Sequence, residues 1–195
     1  MVTRDVTTRT RILGAATTLF ARYGFKRTTM EDIATESGLS RASLYLQFRN
    51  KEDIFRALAS DLQEQSLAAA EAALAEEGPL AERLQRAVEA KSLRMMEIAH
   101  GSPHGSELMD ENHRLCGDVA TQAEARFTSM LAGAFAEADG VGEVRLGDAC
   151  VTATEAAEIL LQSVTGLKRP GVELKVFRER LAALVRVLVA GLGAR

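Results

Sequence analysis

Tryptophan is absent from this 195-residue chain, and aromatic residues make up only 5% of it. So thin an aromatic content weakens any case for a β-sandwich core or an aromatic-lined sugar site. Three prolines stand against an abundance of Ala, Leu and Glu, which leaves few interruptions to helix. The two cysteines, Cys116 and Cys150, supply neither a disulfide framework nor a zinc-ligand cluster. Apolar runs are short; the best of them, Leu181 to Leu192, is interrupted by Arg186 and does not read as a membrane span. The N-terminal Met-Val-Thr-Arg-Asp-Val lacks the apolar core of a signal peptide. A reducing, cytoplasmic setting is the expectation. What is present is an ordinary balance of 47% hydrophobic and 26% charged residues, in a chain long enough to bury a core without staples.

The formal net charge of −3 conceals a split. Residues 1–51 carry nine Lys/Arg and four Asp/Glu, a net +5. The rest carries fifteen basic and twenty-three acidic residues, a net −8. A basic head on an acidic body is the asymmetry of a chain whose one end meets a polyanion; a chance excess on a short segment is the alternative.

Between its Gly and Pro breaks the chain shows helical rather than alternating apolar spacing, and no repeat. Helices are expected at about 8–23, 30–37, 41–47, 51–77, 80–100, 104–112, 115–138, 148–168 and 172–191. The fold class is all-α, with about nine helices and no strand. Thr29 with Asp32 forms a capping-box pattern for the second helix, Ser40 caps the third and Asn50 the fourth. Gly24 and Gly38 stand where left-handed turn residues are wanted. Residues 29–47 therefore read helix, tight turn, helix, with Leu39, Leu44 and Phe48 turned inward. The third helix then offers Ser40, Arg41, Ala42, Ser43 and Tyr45 outward, small or hydrogen-bonding side chains with no acid among them. A face that meets phosphates has this make-up.

The run Arg11-Ile12-Leu13, Ala15-Ala16, Leu19-Phe20, Gly24-Phe25, Thr28-Thr29-Met30, Ile33-Ala34, Ser37-Gly38-Leu39-Ser40, Ser43-Leu44-Tyr45, Phe48 and Asn50-Lys51-Glu52 resembles the DNA-binding domain of the TetR (tetracycline-repressor-like) family of bacterial transcription regulators. The likeness covers about residues 9–55, in one register without a gap. Gln47 departs from it, where the family more often has His or Tyr near a phosphate. The resemblance implies a dimer that blocks promoters and releases DNA when a small molecule enters its C-terminal domain. The expected division is a DNA-binding head, residues 1–50, and a ligand-binding and dimerisation domain, residues 51–195.

Arg41, early on the recognition helix, suits bidentate pairing with guanine; a phosphate contact is its other reading. Ala42 suits a thymine methyl or simply a close approach. Tyr45 offers its hydroxyl to a phosphate, or half-buries its ring in the core. Thr28 and Thr29 sit at a helix start, where N–H groups and the dipole favour a phosphate, while Thr29 also serves as a cap. Lys51 opens the fourth helix, an unfavourable place for a cation, which a nearby phosphate would explain. Arg4 and Arg9 fall on an expected N-terminal arm, tracking the DNA backbone or minor groove or else disordered.

Other chemistry finds little support. His100 and His104 are four apart, but Gly101 and Pro103 break the helical face between them, and His113 with Cys116 is a lone pair. No nucleophile elbow appears, so neither an enzyme, a metal site nor a cofactor is expected. Met96, Phe127 and Met130 are candidates to line a mostly apolar effector pocket among residues 80–165, ordinary core filling being the alternative. No mid-chain charge cluster points to an ionic ligand. On the last two helices Leu160, Val164 and Leu167, and Phe177, Leu181, Leu184 and Leu188, recur at helical spacing, while Val176, Val185 and Val189 widen the apolar face. A helix buried on two sides needs such width, so these seven leucine, valine and phenylalanine positions are the expected seam of a homodimer built as a four-helix bundle. The expected partners are palindromic double-stranded DNA, a second copy of the chain and a small-molecule effector, with no membrane. A constitutive dimeric DNA-binding protein without a pocket is the rival reading.

Overall fold

The computed structural model describes residues 2–168 and 172–193, apart from some terminal and loop side chains. The side chains of Arg4 and His100 lie outside those described. Eight helices follow one another: α1 Val2–Tyr23, α2 Met30–Ser37, α3 Arg41–Gln47, α4 Lys51–Ala75, α5 Leu80–Gly101, α6 Gly105–Gly140, α7 Ala153–Leu167 and α8 Leu174–Gly191. No strand occurs among the described residues.

Three boundaries differ from the sequence expectation. α1 begins at Val2, so the segment read as an arm is helical, and Arg9 places its guanidinium 4.9 Å from the centroid of the Phe48 ring. The helices expected at 104–112 and 115–138 join as α6, with the break surviving as a kink at Cys116 (φ −127°, ψ 20°). α7 starts at Ala153 rather than near 148, because Thr152 and Glu155 form a capping box: the Glu155 amide donates to the Thr152 hydroxyl at 3.2 Å while Glu155 accepts from the Thr152 amide at 2.7 Å. That S/T-x-x-E pattern was legible in the sequence.

Two compact units result, and they are not divided at residue 50. The first comprises residues 1–64 and 95–120, the second residues 65–94 and 121–195. The reason lies in the core of the first unit. Ile12, Phe20, Ile33, Leu44 and Ile54 make a small apolar centre, and Leu108 and Cys116 of α6 belong to the same cluster, with Ile98, Leu115 and Val119 packed against it. A three-helix head of fifty residues buries too little surface to stand well alone. Arg56 of α4 completes the junction at the kink. It donates to the Leu115 carbonyl, next to the kink, and to both Asp118 oxygens at 2.8 and 2.7 Å. The same guanidinium holds the Asp118 carboxyl down at about 2.

In the second unit Leu84, Val88, Leu131, Phe135, Leu160 and Leu181 are fully buried. Arg83, nearly buried, lies between Glu137 and Glu143 at 3.7 and 3.6 Å. The sequence suggested no charge cluster in this region, yet Lys91, Lys168 and Glu124 act on one another electrostatically. Desolvation lowers both lysine pKa values and Lys91 lowers that of Lys168 further, while Glu124 opposes both shifts. The expected dimer seam also needs correction. Leu160, Val164, Phe177 and Leu181 are sealed inside a single chain, so a partner has nothing left to cover there. Leu167, Leu184 and Leu188 are half-buried, and the apolar side chains that face outward are Ile159 and Val187.

Candidate nucleic-acid interface

The turn between α1 and α2 sets the site. Gly24 takes φ +83°, and a Cβ there would come within 2.4 Å of a Glu107 oxygen. That carboxylate receives the Lys26 amide on its other oxygen at 2.8 Å. Ser102 donates to the Ala21 carbonyl at 2.8 Å and accepts from the His104 amide at 3.0 Å. The α5–α6 connection thus clasps the end of α1. Beneath the turn, Phe20, Phe25 and Phe55 pack with ring centroids 5.2–5.7 Å apart.

α2 begins with the expected capping box. The Thr29 amide and hydroxyl both donate to Asp32, at 2.9 and 2.7 Å, and the Asp32 amide returns to the Thr29 hydroxyl. These bonds lower the pKa of Asp32. Thr29 is therefore occupied as a cap, and Thr28 is 2% exposed with its hydroxyl donated to the Gly24 carbonyl at 2.8 Å. The side chain of Thr28 faces the core rather than a phosphate. A phosphate at this helix start would meet the amides of Met30 and Glu31, which helix geometry leaves without intrahelical acceptors.

Gly38, at φ +63°, ends α2, and its amide and that of Leu39 return to carbonyls of the last turn. Arg11 reaches from α1 to the carbonyls of Ser37 and Gly38 at 2.6 and 3.2 Å, fixing the turn. Its part in the helix-turn-helix is structural. Ser40 caps α3, accepting the Ser43 amide at 3.1 Å, with the two hydroxyls 2.9 Å apart. Leu44 is fully buried beneath, while Arg41, Ala42 and Tyr45 face solvent.

Lys51 answers its own puzzle differently from the sequence expectation. Its Nζ donates to the carbonyls of Phe25, Lys26 and Thr28 at 2.9, 3.2 and 3.0 Å and lies 4.5 Å from the centroid of the Phe25 ring. Carbonyl dipoles and a ring face offset the unfavourable helix dipole. The cation ties α4 to the α1–α2 turn.

These elements leave an open groove of about 440 Å³, lined by Lys26, Thr28, Thr29, Met30, Glu31, Arg41, Tyr45, Asn50, Lys51 and Glu52. Five of the eight DNA-binding candidates line it; Ala42 and Ser43 stand on the same helix as Arg41, and Ser40 caps it. The sequence reading missed two neighbours. Glu31 of α2 lies 3.6 Å from Arg41, both well exposed. Leu46, 83% exposed, stands on α3 between Tyr45 and Gln47. An acid at the second position of α2 follows from the dipole, and a leucine off the Leu39–Leu44–Phe48 set was the available signal for the other. Among the described residues no group of three His, Cys, Asp or Glu side chains suits a metal ion, and no helix is long and apolar enough to cross a membrane.

Residues 12–58 match the model of the bacterial regulatory proteins of the tetR family. The head carries that likeness. It is 53% identical over 45 residues to the HTH-type transcriptional regulator YfiR of Bacillus subtilis, a match covering 23% of this chain and 22% of that one. It is 41% identical over 46 residues to the biofilm operon icaADBC negative transcriptional regulator IcaR of Staphylococcus epidermidis, covering 24% and 25%. The sequence likeness thus spans about a quarter of these relatives' lengths. The fold likeness is wider. A TetR-family structure from Mesorhizobium loti superposes with a TM-score of 0.72 at 21% identity, over 96% of this chain and 97% of that one. The fold of that structure is shared over nearly all of this chain, while sequence likeness is concentrated in the head.

Proposed function

We propose that the protein is a transcriptional regulator of the repressor kind, which binds palindromic operator DNA as a homodimer and lets go when a small, mostly apolar effector binds. It acts in the cytoplasm and needs no cofactor. The observation that carries this reading is the groove between α2, α3 and the start of α4, with Arg41 and Tyr45 exposed above the buried Leu44. Arg41 is the base-reading residue, and Glu31 beside it orients the guanidinium, though an exposed pair of this length adds little stability. Tyr45, Ser40 and Ser43 contact the backbone, and the amides of α2 receive a phosphate. Arg41→Ala should relax preference at one base pair per half-site, costing about 1–3 kcal/mol there in a binding series over single-base operator variants. Uniform weakening across all variants would make Arg41 a phosphate contact instead.

The homodimer forms through the outer faces of α7 and α8, around Ile159, Val187 and the half-buried Leu167, Leu184 and Leu188. Ile159 is 44% and Val187 73% exposed in the single chain, so glutamate at both positions leaves the chain's own core intact. In an apolar seam each carboxylate would be buried without a partner, at roughly 2 kcal/mol or more. The double variant should be monomeric by light scattering with an unchanged helical signal. A dimer that persists would move the seam elsewhere.

The effector site is proposed in the second unit, around Phe127 and the half-buried Met130; Met96 belongs to the first unit and is left out of it. A constitutive DNA-binding dimer is the second reading, favoured by the burial of Met96 and Phe127, which packs them as core residues. An apolar compound that raises the melting temperature and lowers operator affinity by the linked factor supports the first; stabilisation without release supports the second.

A further inference from the structure

α3 presents three ridges, and the outermost of them is apolar. At about 100° per residue, Arg41 and Tyr45 lie on one flank of the buried Leu44 and Ser43 and Gln47 on the other. Ala42 and Leu46 each stand about 160° away from Leu44, on either side of the point opposite it. They are four residues apart, so they stack into one ridge. Leu46 is 83% exposed, the highest value among the large apolar side chains so described. A helix laid in the major groove with Leu44 toward its own core sends the opposite ridge deepest.

We infer that Leu46, backed by Ala42, reads a thymine methyl in each operator half-site. This rests on the DNA-binding function proposed above. In the major groove the C5-methyl of thymine is the apolar feature among donors and acceptors. An apolar side chain pressed on an adenine, guanine or cytosine edge leaves polar atoms dry and unpaired, so the same residue attracts thymine and rejects the others. The surroundings select DNA over protein as the occupant. Arg41, on the same short helix, keeps an exposed guanidinium beside the ridge, 3.6 Å from Glu31, a side chain suited to a phosphate or a base edge. One leucine and one alanine also offer far less than the roughly 800 Å² per side of a stable protein contact.

The test uses the full-length protein and a duplex selected from random DNA, with deoxyuridine replacing thymine one position at a time. Loss of a contacted methyl should weaken the wild-type protein about fourfold at one position in each half-site. Leu46→Ala should bind the thymine duplex more weakly and become indifferent to uridine at that position, while Leu46→Met keeps the sensitivity. The thermal midpoint of Leu46→Ala should match wild type, since the side chain is exposed. The inference is overturned if uridine is neutral at every position for the wild type, or if its penalty persists undiminished in Leu46→Ala. Unchanged DNA affinity of Leu46→Ala with a shifted mass in light scattering would also overturn it and give the ridge to a protein contact. Failure of the wild-type chain to select any duplex would remove the DNA-binding reading itself, and is seen before any uridine is placed.

Discussion

Replacing Lys51 with methionine is expected to destabilise the protein by about 2–3 kcal/mol, lowering the thermal midpoint by roughly 5–10 °C for a chain of this size. Three carbonyls of the α1–α2 turn lose a charged donor at once, and the Phe25 ring loses the cation over its face. Each charge-assisted bond contributes on the order of 1.5–3 kcal/mol when removed, but these acceptors are partly exposed and water replaces some of the loss. Methionine keeps most of the apolar stem, so the change isolates the ammonium. Because the turn sets where α2 begins, the folded variant should bind every DNA sequence more weakly by a similar factor. Differential scanning calorimetry beside operator binding checks both. An unchanged midpoint, with only the salt slope reduced by about one, would place Lys51 on a phosphate.

Operator affinity should fall about a thousandfold between 50 and 200 mM salt, despite the acidic body of the chain. Residues 1–51 hold a net +5, but the structure commits part of that charge internally. Arg11 and Lys51 are spent on backbone carbonyls, and Arg49 is paired with Asp53 at 2.8 Å. Six of the nine cations in each head then remain, and about half of them reaching phosphates gives about six phosphates for the proposed dimer. With a slope near −0.9 per phosphate neutralised, log affinity should fall linearly with log salt at a slope of about −5. Titrations at four or five salt concentrations on one selected palindrome measure it. A flat line would mean that the basic head does not meet the DNA backbone, and the groove would lose its assignment.

The helix-turn-helix was readable because its signals are local. Thr29 with Asp32, Gly38, Ser40 and Asn50 each act on backbone groups within four residues, and each is found at its expected place. A cap needs no knowledge of the rest of the chain. The buried set Ile33, Leu44 and Phe48 was legible for the same reason, since helical spacing alone fixes which side faces in. The all-helical class followed from the scarcity of breakers and the 3.6-residue period.

Long-range partners were another matter. Nothing near Lys51 in sequence says that its ammonium ends on carbonyls 23 to 26 residues earlier. Nothing near Arg56 names Asp118, and nothing in residues 1–50 says that Leu108 and Cys116 complete their core. The apolar stripes of the last two helices were read correctly as stripes, but spacing cannot distinguish a face buried by its own chain from one left for a twin. The sequence by itself determined the helices, their caps and the helix-turn-helix, because those depend on neighbours a turn away. The tertiary structure decided which cations are used up inside the chain, which leucines remain on the surface and where the compact units divide, because those depend on groups that only folding brings together.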